Sequence, residues 1–180
     1  MSLLIIAILM ILVAAISRLV LYPYNFSPII GMALFSGAVI KDKKLAFLMP
    51  LLAMFISDVL FEVFKVAPGF WGWGQILHYG LYALITCFGF LLKKINVANV
   101  IVFSVLSTAG FYLLSNSISF FVDLQVYHYY AHSFGGYIDC MYAGLPFMEK
   151  GLFVDLGYCA ILFGGYYWME KEVFNKVLSK

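Results

Sequence analysis

Charge is the scarcest property of this sequence. Asp, Glu, Lys and Arg make up 11% of its 180 residues against 64% hydrophobic, and the mean hydropathy is +0.99, which excludes an ordinary water-soluble domain. The net charge is +2, and no basic stripe with interleaved aromatics is present, so nucleic acid is excluded as a partner. The three cysteines, Cys87, Cys140 and Cys159, show no CxxC spacing, and no disulfide framework is implied. GxxxxGK[ST], GxSxG and HExxH are all absent. Their absence removes ATP hydrolysis by this chain and the commonest signatures of nucleophilic and zinc-dependent catalysis. The chain therefore reads as a non-enzyme with no cofactor.

What remains is a succession of apolar runs bounded by the few charges. An apolar helix needs about 20 residues to cross a hydrocarbon core of about 30 Å. By that rule the sequence predicts an all-α, polytopic membrane protein of one domain, 1–180, with six transmembrane helices over about 3–21, 28–40, 45–64, 75–92, 97–122 and 151–168. The first run lacks a basic segment before it and is longer than a signal-peptide core, so it is read as a retained helix. Lysines cluster at Lys41–Lys44, Lys93–Lys94 and Lys171–Lys180, which the positive-inside rule converts into a topology with both ends in the cytoplasm. The second run, about Pro28 to Ile40, is too short to cross unaided. Ser27 is its expected N-cap, with Pro28 at the first helical position.

The three outer connections of that topology are rich in Tyr, Trp, His, Asn and Asp, whereas the cytoplasmic ones are short and plain. Trp71, Trp73 and the tyrosines fit either a recognition surface or an aromatic belt at headgroup level. Asn25 precedes the short helix, and His78 begins the fourth. Near the end of the fifth helix Asn116, Ser119 and Asp123 recur at close to one helical turn, a polar stripe suited to the wall of a ligand pocket. Asp155, inside the sixth helix, is placed to face it. Asp58 and Glu62 share one face of the third helix, where they either relay protons or pair with Arg18 or Lys65. His128, His132 and Cys140 are metal-ligand types near one another, but the same segment is equally suited to stacking on an organic ligand.

With these residues in view, the chain is similar to an uncharacterised bacterial membrane-protein family that shares YNFSPIIGMALFSGA, the Ser57-Asp58 pair, NSISFFVD, and AGLPF followed by Asp155. More distantly it resembles the S-components, the substrate-binding subunits of energy-coupling factor vitamin transporters. That resemblance implies a six-helix bundle that binds a vitamin or metal in a pocket built from its outer loops and later helices, driven by a separate energising module. The chain begins Met1-Ser2-Leu3, without the Met-x-His segment of the cobalt and nickel members. The expectation is uptake of a small vitamin-like nutrient across the bacterial inner (cytoplasmic) membrane. Its partners would be the lipid bilayer, the ligand and the energising module that the resemblance implies. Asn25, Trp71, Trp73, His78, Asn116, Ser119, Asp123 and Asp155 would form the site. The alternatives are an intramembrane enzyme and a non-transporting assembly subunit.

Overall fold

A computed structural model describes residues 3–21, 27–70, 72–126 and 128–178, with backbone alone for 21, 123–126 and 173–178. Among these residues there are six helices and no strand: α1 (Leu3–Leu21), α2 (Ile29–Val39), α3 (Lys43–Phe64), α4 (Trp73–Gly89), α5 (Val97–Val126) and α6 (Phe134–Leu178). Four of them, α1, α3, α5 and α6, are long and apolar enough to cross a membrane. Their outward faces carry large apolar side chains such as Val13, Ile16, Val20, Val63, Phe121 and Phe153, the surface that a lipid environment requires and water does not tolerate.

The helices are arranged as a ring around an axle. Each of α1, α3, α4, α5 and α6 touches its two ring neighbours, in the order α1–α3–α4–α5–α6 and back to α1, and α2 touches all five. Its sequence explains this position. IIGMALFSGAV is apolar on every side, so no face prefers lipid or water over protein. Every residue from Ile29 to Gly37 is buried. Phe35 packs edge-on against Phe163 and Tyr166 of α6, and Ser36 donates to the Ala46 carbonyl of α3 at 2.7 Å. Against α4 the approach is closest where Gly37 meets Gly89. A Cβ on Gly37 would run into the Thr86 carbonyl oxygen, and one on Gly89 would lie 2.6 Å from the Leu34 carbonyl oxygen.

Two expectations change. Ser27 does not cap α2: the residue before the helix is Pro28, and no side chain bonds to the first turn. The sixth helix starts at Phe134 rather than near Gly151 and runs for 45 residues through Pro146, about 67 Å at about 1.5 Å per residue. Gly144, Pro146 and the Glu149–Lys150 pair look like loop chemistry in the sequence. The segment is helical because it lies along α5, to which Met141 is tied by a 2.6 Å hydrogen bond from Tyr112 Oη to its carbonyl.

Candidate functional site

At 11 residues, α2 is only about 16 Å long, so it cannot fill the ring from end to end. Beyond its N-terminus, between α4, α5 and α6, lies a cavity of about 380 Å³. α4 and α6 do not touch each other, and the cavity occupies the space between them. Ser27, Ile29 and Ile30 line it from the α2 side, and His78 and Tyr82 from α4. Thr108, Phe111, Tyr112, Ser115 and Asn116 line it from α5, and Gly144, Phe147, Met148, Gly151, Val154 and Asp155 from α6.

Asp155 is 2% exposed. It accepts a 2.7 Å hydrogen bond at Oδ2 from Thr108 Oγ1. The Ser27 hydroxyl is also buried and has no hydrogen-bond partner among the described residues. His78 Nδ1 lies 2.8 Å from the Gly74 carbonyl, which can only accept, so Nδ1 carries a proton. Asn116 Nδ2 donates to the Tyr112 carbonyl at 2.9 Å, and its amide packs against Gly144 so closely that a Cβ there would overlap it. Tyr82 and Phe111 stack face to face at 5.3 Å. The walls thus combine flat apolar faces with a carboxylate, a hydroxyl, an amide and an imidazole, the mixture that fixes a small organic ligand.

A second polar cluster sits against the adjacent face of α4 and is closed. Asp58, 3% exposed, forms an ion pair with Arg18 of α1. Its Oδ2 also accepts from Gln75 Nε2 at 2.8 Å and Tyr79 Oη at 2.6 Å. Arg18 donates further to Ser57 Oγ at 2.7 Å and lies over the Phe61 ring. Glu62 Oε2 accepts from the Gly69 amide, and the Gly69 carbonyl accepts from Gln75, both at 2.9 Å. This network joins α1, α3 and α4 and ties down their connection. Of the two readings of Asp58, pairing with Arg18 is the one the geometry supports.

Of the sequence-predicted site residues, His78, Asn116 and Asp155 come together in the cavity. Trp73 is 81% exposed and Ser119 is exposed, and neither lines it. Asn25, Trp71 and the side chain of Asp123 lie outside the described residues. The His128 and His132 rings sit 5.5 Å apart on an exposed segment, while Cys140 is buried and directs its thiol to the Asn116 carbonyl. Among the described residues no three His, Cys, Asp or Glu side chains gather at metal-binding spacing. Sequence reasoning missed Thr108, Phe111, Tyr112 and Ser115. The signal was their spacing: with Asn116 they fall at i, i+3, i+4, i+7 and i+8, one face of α5. Among the described side chains, those of α5 that line the cavity run from Asn116 toward the start of the helix.

No curated protein and no solved structure matches the chain. A family model does match it over residues 1–177. The chain therefore belongs to DUF6580, a family of unknown function.

Proposed function

We propose that this chain is a membrane-embedded binding protein that takes up a small, vitamin-like nutrient through the bacterial cytoplasmic membrane, in the manner of the S-components it resembles. In this reading six helices share the membrane, both ends lie in the cytoplasm, and a separate energising module is the partner. The observation that carries it is the cavity over the N-terminus of α2. A membrane bundle has no packing reason to keep a carboxylate with one hydrogen bond and a Ser27 hydroxyl unpartnered among the described residues at a space of about 380 Å³, because buried polar groups cost free energy unless they are paired. A ligand that pairs with them offsets that cost.

The test is mass spectrometry of small molecules that co-purify with the full chain after gentle detergent extraction, alongside a Gly151→Leu variant. A Cβ at Gly151 meets only the Thr108 methyl group at 3.9 Å, so a side chain can begin there without displacing a neighbour, and at this lining position leucine is expected to take up cavity volume. A compound retained by the parent and depleted at least tenfold in the variant, about 1.4 kcal/mol of binding, supports the reading and names the cargo. Equal retention by both proteins, or no retained compound, counts against it.

A further inference from the structure

We infer that the cavity is built for an organic cation: a compact aromatic or heteroaromatic molecule whose protonated or quaternary nitrogen rests against Asp155. This rests on the binding reading above and assigns the chemical class of its cargo. An ionised carboxylate offers about four acceptor sites, and Asp155 has one of them filled, by Thr108. The ion pair among the described residues belongs to Arg18 and Asp58, and no lysine or arginine lines the cavity. A carboxyl group this deeply buried either keeps its proton or needs a counter-charge, and a cation in the cavity supplies the counter-charge.

Two features of the surroundings favour the ionised carboxylate and a cation beside it. Gly31 packs against Tyr158 and Cys159, and Phe35 against Phe163, so α2 and α6 run parallel and the first turn of α2 is level with Asp155. The positive end of a helix amounts to about half a unit charge, enough to favour the anion but too little to neutralise it. Tyr82, Phe111, Tyr112 and Phe147 are among the other residues that line the cavity. Aromatic faces carry negative potential and attract cations, most strongly where water is excluded. An anionic cargo would instead meet a buried negative charge. The volume, about 380 Å³, is near the lower end of the roughly 300–1,000 Å³ of small-molecule sites, which limits the cargo to one or two rings.

The experiment is a binding titration of the detergent-solubilised full chain with three probes of similar size: benzyltrimethylammonium, benzyl alcohol and benzoate. The expected result is that the parent binds the ammonium at least tenfold more tightly than either other probe. Asp155→Asn, which keeps the shape and the Thr108 contact, is expected to abolish that preference. The parent's selectivity decides the question even where Asp155→Asn does not fold, and Phe111→Leu should lower it severalfold. Preference for benzoate or benzyl alcohol, blocked by Gly151→Leu, overturns the cation class and leaves the binding cavity standing. Failure of all three probes to bind overturns the cation inference, and absence of any co-purifying compound then removes the binding reading as well.

Discussion

Asp58 and Asp155 are buried to nearly the same extent, 3% and 2% exposed, yet they are treated in opposite ways. Asp58 has a guanidinium, an amide and a phenol arranged around it. Asp155 has one hydroxyl and a cavity. A single helix supplies both environments: Gln75 and Tyr79 on one face of α4 close the first, and His78 and Tyr82 on the adjacent face open the second. The first carboxylate is used up in joining three helices, and the second retains acceptor sites. That difference separates a structural polar cluster from a candidate site more sharply than burial does.

Asp58→Asn is the strongest way to break the comparison. It leaves the partly buried Arg18 without its counter-charge, which should cost about 3 kcal/mol, the lower end of what breaking a buried pair costs, whereas Asp155→Asn should change stability by less than about 1 kcal/mol. Parallel unfolding of both variants in detergent, followed by circular dichroism, checks the pair; equal losses would mean that the two aspartates play the same structural part. Tyr79→Phe sharpens the comparison by removing one donor from Asp58. A hydrogen bond to a charged group contributes about 1.5–3 kcal/mol, so the same unfolding assay should register a loss near the lower figure, because Arg18 and Gln75 remain. Thr108→Val is the mildest change. Water in the cavity can take over the position of the lost hydroxyl, and the expected cost is below about 1 kcal/mol.

The sequence makes the long apolar elements plain, because an apolar run has one stable solution in a membrane. α1 falls where the run predicts it, and α3 and α5 start or end within a few residues of their expected limits. The charged residues are legible for a related reason: Arg18 and Asp58 are conspicuous in apolar helices, and a buried charge needs a partner. His78, Asn116 and Asp155 stand out similarly. What stays hidden is whatever resembles its background. Tyr82, Phe111 and Phe147 are aromatics among aromatics, and only the three-dimensional arrangement shows which of them face a cavity. Ser119 does share the face of α5 that carries Tyr112 and Ser115, at i+7 and i+4 from them, but it lies one turn past the last residue of α5 that lines the cavity, and its side chain is exposed. The early start of α6 is hidden because Gly144 and Pro146 weaken helical propensity locally, while contact with α5 overrides it.

The central placement of α2 also constrains how the protein is made. Ribosomes release the chain in order, so α2 is synthesised before four of the five helices that enclose it. At 11 residues it is a poor insertion signal, and its end amides and carbonyls would sit in hydrocarbon if it entered alone. Its Phe35 acquires the Phe163 and Tyr166 rings only after most of α6 has been translated. On the proposed membrane reading, the nascent chain has to hold α2 in a provisional position, sheltered by α1 and α3 or by the insertion machinery, until the last helix closes the ring. Chains truncated after α5 should consequently be cleared by membrane proteases far faster than the intact protein, a difference that pulse-chase labelling measures.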